Sequence, residues 1–267
     1  MKKFFLYLFL TILAIIVLFP FIWMFMTSFK PESEALSLSF LPSHFTLKNF
    51  KKIITGYRFG RYFINSLIVS FSAAIFATFF GSLAAYPFAK KDFPFKKYIL
   101  GMFLASMMIP GLMFMIPQFA IVSKLGWINT YKAMVIPHLA NVFGLFLLIQ
   151  YMKTLPDALI EAARIDGASE LRIFWAIIFP LSLPIIVTIF LLTFQFHWNN
   201  FLWQLIVTTK ESMYTVPVGL AMFRSAHEEL YAMKMAASTV SILPISIIFL
   251  LSQRYFIQGI TKGAVKE

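Results

Sequence analysis

The sequence predicts an all-α, polytopic membrane protein with six transmembrane helices. Three observations predict it. Of 267 residues, 60% are hydrophobic and 13% are charged, against about a quarter charged in an ordinary soluble domain. The mean hydropathy is +0.81. Six apolar runs, each close to the ~20 residues that a helical span needs, alternate with polar segments. So little polar surface does not cover a soluble globule. The chain has no Cys, which removes a disulfide scaffold and a cysteine-ligated metal site. The net charge of +12 is scattered through short loops. Anionic lipid headgroups suit that pattern better than nucleic acid, which calls for a basic stripe.

The first run, Phe4 to Phe29, follows Lys2 and Lys3. It exceeds the roughly 7–15 apolar residues of a signal peptide and lacks a small-residue cleavage site, so an uncleaved span over 4–29 is expected. A polar loop follows to Arg61. The second span is expected over 62–89, ending at the basic loop Lys90-Lys91-Asp92-Phe93-Pro94-Phe95-Lys96-Lys97. The third covers 98–122 and contains Pro110-Gly111 and Pro117, either as breaks or as plain kinks. The fourth covers 133–152, the fifth 184–207 and the sixth 236–256. All 267 residues read as one transmembrane domain. With the N-terminus inside, the inner segments hold 12 Lys/Arg and the outer ones 11. The count is nearly balanced. The dense lysine cluster at 90–97 and the pair at the N-terminus favour both termini on the cytoplasmic side.

The segment 153–183 is different. It carries Asp157, Glu161, Arg164, Asp166, Glu170 and Arg172 among Leu, Ile and Ala. Its spacing predicts two short helices with a break. Pro156 suits a first helical position and Asp157 the first turn, where a carboxylate meets the positive end of the helix dipole. Ala158, Leu159, Ala162, Ala163 and Ile165 supply an apolar stripe. Gly167 suits the left-handed residue after the last turn. Ser169 caps the second helix, which Pro180 is expected to end. Its mixed charges favour a protein partner over a lipid surface.

Glu161-Ala162-Ala163, with Gly167, Ile177 and Pro180 at the right spacing, resembles the EAA motif of ABC importer permeases. Phe179 stands where that family usually has Leu. Further segments are similar to its sugar-importer branch: Phe29-Lys-Pro-Glu-Ser-Glu-Ala-Leu36, Trp198-Asn-Asn-Phe-Leu-Trp-Gln-Leu205, Tyr214-Thr-Val-Pro-Val-Gly-Leu220 and the tail from Gln253 to Lys266. The chain thus resembles the six-span, maltose-type permease subunit, and the resemblance implies the type I ABC importer permease fold. It implies a second permease, different in sequence, a dimer of cytoplasmic ATPase subunits and an extracytoplasmic sugar-binding protein as partners. It implies a bacterial or archaeal cytoplasmic membrane and a cytoplasmic 153–183 loop. There Glu161, Ala162, Ala163, Asp166 and Gly167 would couple to the ATPase: Glu161 by pairing with a base, the alanines by allowing close approach, Gly167 by turning the chain.

No G-x-x-x-x-G-K-[ST] phosphate loop occurs, so no ATP hydrolysis or cofactor is expected of this chain and ATP belongs to a partner. His44, His138, His197 and His227 lack metal-ligand spacing. Polar groups at membrane depth face a bundle or a water-filled path. Gln195, His197, Trp198, Asn199, Asn200 and Gln204 in span five, with Asn141 in span four, are therefore candidates for a path taking a neutral, hydroxylated solute. On a continuous helix Gln195 and Asn199 share one strip, and His197, Asn200 and Gln204 another. Interhelical hydrogen bonding accounts for them equally well. A gradient-driven carrier is the competing class, and the six spans lack the Asp or Glu it needs for ion coupling.

Overall fold

The computed structural model describes residues 2–223 and 230–264, with side chains for 3–223 and 230–255. His227 and most of the tail segment 253–266 therefore lie outside the described side chains. Every regular element among the described residues is helical. α1 (Lys2–Ser28) is one helix despite Pro20. None of its most apolar window is buried by the rest of the chain, so its surface is left for lipid or a partner. α2 (Lys48–Thr55) is short and lies in the first loop. α3 (Phe59–Lys90) has 32 residues, about 48 Å of helix, more than the ~30 Å hydrocarbon core. Its buried side is built from small residues, Ser66, Ser70, Ala73, Ala74, Ala77 and Ala85, which let neighbouring backbones come close.

The third crossing is broken. α4 (Lys96–Ser106) and the stretch from Gly111 through α5 (Met115–Lys124) meet at 91°. Pro110 removes a helical N–H and biases Ile109 away from helix. Pro117 breaks nothing, because it sits in the first turn of α5, where N–H groups have no intrahelical partner. The fourth crossing is α6 (Tyr131–Val135), continued by a 3-10 turn to His138, and α7 (Val142–Lys153), bent by 48° at the break over 139–141. α8 (Asp157–Ile165) and α9 (Glu170–Ile173) follow. Pro156 stands one residue before α8, not inside it.

Pro180 does not end the second loop helix as expected. The chain widens into a π-helical turn over Phe174–Ile178, runs on through α10 (Phe179–Leu181) and bends by 76° into α11 (Leu183–Trp198). A wider turn accommodates the missing N–H and the ring of Pro180. The fifth crossing is also shorter than expected. Its helix stops at Trp198 and restarts as α12 (Leu202–Val207). Asn200 competes with the ladder, its side-chain oxygen accepting the Trp203 N–H at 3.3 Å. α13 (Val216–Ala221) precedes α14 (Tyr231–Ala264), which is longer than the predicted 236–256 and continues through Pro244. Three helices are long and apolar enough to cross a membrane, and six crossings result if each bent pair makes one.

The chain divides into two compact units, 1–65 with 214–244 and 66–213 with 245–267. In the first, the 29–57 loop is pinned by its polar side chains. The Lys30 ammonium is fully buried, donates to the Ser39 carbonyl at 2.6 Å and lies 5.0 Å from the Trp23 ring. Glu32 accepts the Ala232 and Met233 N–H groups at 2.9 and 3.2 Å, capping the otherwise unsatisfied start of α14. Glu34 bonds to Ser43, which holds its carboxyl below the usual range. The Lys-Pro-Glu-Ser-Glu segment thus organises the loop from within. In the second unit, one apolar cluster joins Ala85 and Tyr86 of α3 to Leu148, Ile149 and Met152 of α7, Ile160 of α8 and Ile185 and Ile189 of α11. A second centres on Val69, Val122, Met134 and Trp203.

Candidate functional site

Two sites emerge in the second unit. The first is the 153–183 loop. α8 ends in a Schellman turn. The Ala168 N–H reaches the Ala163 carbonyl at 2.9 Å and the Gly167 N–H reaches Arg164 at 3.0 Å, with Gly167 at φ +75°. Ile160 is the buried anchor of α8, and Ala163 and Ala168 pack on the same cluster. At about 100° per residue, Ala158, Ala162 and Ile165 form one strip, flanked by Glu161 and Leu159. All are exposed, and Ile165 is 86% exposed. The apolar stripe, for which a protein partner is expected, is mostly turned outward. The close approach expected at both alanines is open at Ala162, while Ala163 faces the chain's own core.

Of the seven charges in this loop, Asp157, Arg164 and Glu170 are engaged internally. The Lys90 ammonium, at the end of α3, donates to the Leu155 carbonyl at 2.5 Å and to Asp157 at 2.7 Å. Glu170 gathers Lys91 at 2.6 Å, Tyr86 at 2.7 Å and Arg164 at 3.2 Å. Lys91 above all, then Tyr86 and Arg164, hold the Glu170 carboxyl below its usual range. The support this carboxylate gives is present above the ordinary value near 4.3 and is lost as pH falls through the lowered one. Glu161, Asp166 and Arg172 have no ion-pair partner among the described residues. The clamp was hidden from the sequence because its partners lie 67 and 84 positions apart. Lys90→Met is expected to speed amide hydrogen exchange over 155–165. It leaves a carbonyl unpaired, a cost of about 1–3 kcal/mol. Asp157→Asn, which keeps the Leu155 bond, is expected to do less.

The second site is a cleft where three helix breaks converge. One lobe of about 860 Å³ is lined by Gly111 and Leu112 of the third crossing and by Gln195, Asn199 and Asn200 of the fifth. A neighbouring lobe of about 430 Å³ is lined by Met107, Asn141, Thr193 and His197. Gln118, His138 and Phe196 line both. Irregular backbone at membrane depth is tolerated where it lines a cavity, and these volumes suit a small ligand. No Asp, Glu, Lys or Arg is among the lining residues.

The predicted path residues divide. Gln195, Asn199 and Asn200 face the larger lobe, and Asn141 and His197 the smaller. Asn141 also caps α7, accepting the Gly144 N–H at 2.8 Å. Trp198 lines neither lobe and stacks on Phe194 at 5.7 Å and 15°. Gln204 is fully buried, and its amide has no hydrogen-bond partner among the described residues. The strip of Gln195 and Asn199 holds, since the Asn199 N–H still reaches the Gln195 carbonyl at 3.1 Å and both line the larger lobe. The strip of His197, Asn200 and Gln204 does not form, because the break at 199–201 resets the register. Gln118 was missed. It is a polar residue inside an apolar span, the same signal that picked out Gln195. Among the described residues no group of three or more potential metal ligands occurs.

Comparison with known proteins places this geometry. The family described as binding-protein-dependent transport system inner membrane component matches residues 77–262. The chain is 36% identical to the arabinooligosaccharides transport system permease protein AraQ of Halalkalibacterium halodurans, covering 95% of this chain and 93% of that one. It is also 36% identical to the trehalose/maltose transport system permease protein MalG of Thermococcus litoralis, covering 96% and 94%. In fold it is similar to a chain in the crystal structure of a bacterial ABC transporter involved in the import of the acidic polysaccharide alginate. There the TM-score is 0.85 and the identity 22%, over 96% of each chain.

Proposed function

The chain belongs to the family of binding-protein-dependent transport system inner membrane components, a permease subunit of an ABC importer, and from that premise we propose that it carries a neutral sugar or oligosaccharide. The observation that carries this reading is the cleft. Three broken crossings line it with Gln118, Gln195, Asn199 and Asn200 beside Phe196 and Trp203, and with no ionic side chain. Side-chain amides exchange hydrogen bonds with hydroxyls, and aromatic faces cover the apolar faces of sugar rings. Several relatives are named for oligosaccharide or disaccharide transport, which supports the same class.

In this reading residues 1–267 act as one permease domain, both termini are cytoplasmic, and a second, different permease completes the path. The strip of Ala158, Ala162 and Ile165, with Glu161 beside it, docks on a cytoplasmic ATPase subunit. Its mix of exposed apolar and unpaired charged groups suits a protein groove. The Lys90 and Glu170 contacts then carry the movement of that loop to the end of α3. A binding protein delivers the sugar, and ATP is hydrolysed by the partner alone.

The test is to purify the tagged chain in mild detergent and reconstitute what accompanies it. An ATPase and a second permease are expected to co-purify. Neutral sugar with its binding protein is expected to stimulate ATP hydrolysis. Asn199→Ala with Gln195→Ala is expected to weaken that stimulation. Gradient-driven uptake by this chain alone in vesicles would overturn the reading.

A further inference from the structure

We infer that α2 is an interfacial site for the phosphodiester headgroups of anionic lipid. Its position is fixed by hydrogen bonds and packing. The Asn49 side-chain amide donates to the Ser28 carbonyl at 2.9 Å and to the Lys30 carbonyl at 2.8 Å, which ties the first turn of α2 to the end of α1. Ile53, 1% exposed, packs in a cluster with Phe59 and Tyr62 at the start of α3 and Met233 near the start of α14. A helix held against the ends of three crossings lies at the membrane–water boundary.

The exposed face of α2 is basic. At about 100° per residue, Lys48, Lys51 and Lys52 fall within one arc, turned away from buried Asn49 and Ile53, and all three are exposed. α2 contains no acidic residue. The carboxylates of the same loop are engaged elsewhere, Glu32 at the start of α14 and Glu34 with Ser43. None of the three lysines has an ion-pair partner among the described residues. Phe45, Leu47 and Ile54 are exposed beside them. Lysines with apolar side chains at one boundary are the composition of a lipid-surface helix. α8 is the internal contrast, since its outward face carries both signs and suits a protein. The lysine face therefore fits a bilayer rather than a groove in a folded partner.

The probe is phosphatidylglycerol, with phosphatidylcholine as the uncharged control, added to full-chain protein in neutral detergent and read by the thermal unfolding midpoint. Phosphatidylglycerol is expected to raise the midpoint, less so at high salt, and phosphatidylcholine is not. Lys48→Gln/Lys51→Gln/Lys52→Gln is expected to weaken the apparent affinity for phosphatidylglycerol by roughly fivefold per lysine removed. The matching triple change to Arg keeps the charge and is expected to keep the response, which separates lost charge from a damaged fold. The inference is overturned if the Gln variant responds like the parent, if both lipids act alike, or if the Arg variant loses the response. It is also overturned if the Gln variant keeps its lipid response but loses stimulation by the binding protein, since the face would then belong to a protein.

Discussion

Gly219→Ala is expected to cause the largest loss of stability of any Gly→Ala change among the described residues. A Cβ at position 219 would collide with Cδ2 of Tyr62 and lie 2.6 Å from its Cε2. Those atoms belong to a rigid ring that is 2% exposed. The ring packs in a cluster with Phe59, Val216, Phe223 and Met233, so it has no free direction in which to turn. The segment leading into α13 is tied to the same helix, α3, because the Asn65 amide donates to the Tyr214 carbonyl at 2.8 Å. Forcing a methyl into a packed core costs about 1–3 kcal/mol, and here the contact is with ring carbon, so Tyr62→Phe would not relieve it. The thermal unfolding midpoint of the full chain in detergent is expected to fall clearly for Gly219→Ala. Gly60→Ala has open space at its Cβ and lies in α3, where Ala is favoured over Gly. It is expected to leave the midpoint unchanged or raise it. Tyr62→Leu should destabilise alone yet restore part of the loss in the Gly219→Ala background, as expected for two residues that share a contact. Simple additivity of the pair would show that the ring is not what Gly219 makes room for.

That contact also explains what the sequence did and did not make legible. The Tyr-Thr-Val-Pro-Val-Gly-Leu segment is recognisable as a pattern, but its Gly is required by a tyrosine 157 positions earlier. Hydropathy alone locates α1, α3 and α14, because lipid imposes length and apolarity on every residue of a span. Local chemistry locates the turn at Gly167 and the cap at Ser169, since each rests on a backbone preference of one residue, while at Pro110 it leaves break and kink open. The break at 199–201 was not legible. Leu, Trp, Ile and Val continue beyond it, and the periodicity has no feature there except two asparagines. The break takes Gln204 off the strip drawn with His197 and Asn200, while Trp198, ahead of the break, is buried against Phe194. The Lys90 and Glu170 clamps were invisible for the same reason as Gly219: they are long-range pairs. A loop read as meeting a partner keeps three of its seven charges for itself.

Gly167→Val is expected to abolish the stimulation of ATP hydrolysis by substrate-loaded binding protein while the chain still inserts in the membrane. The prediction rests on backbone conformation, not on collision. Gly167 has φ +75° and nothing within 4 Å of the position a Cβ would take. An L-residue in that region costs roughly 1–2 kcal/mol, and a β-branched residue more. The turn is closed by the Gly167 and Ala168 N–H groups on Arg164 and Ala163, and it is braced across the bend by Arg164 on Glu170 at 3.2 Å. Two ends of one small loop thus depend on the same dihedral angle. If the turn opens, α8 loses its register on Ile160, and the Ala158, Ala162 and Ile165 strip no longer meets its partner at the angle set by Lys90. The apolar length of the crossings does not depend on this turn, so insertion is expected to be unaffected. Asn tolerates the left-handed region better than other non-glycine residues. Stimulated ATPase activity in the reconstituted complex should therefore fall in the order Gly, Asn, Ala, Val. Equal activity for Asn and Val would remove backbone conformation as the reason for this glycine, and full activity for Val would remove the loop from the coupling path.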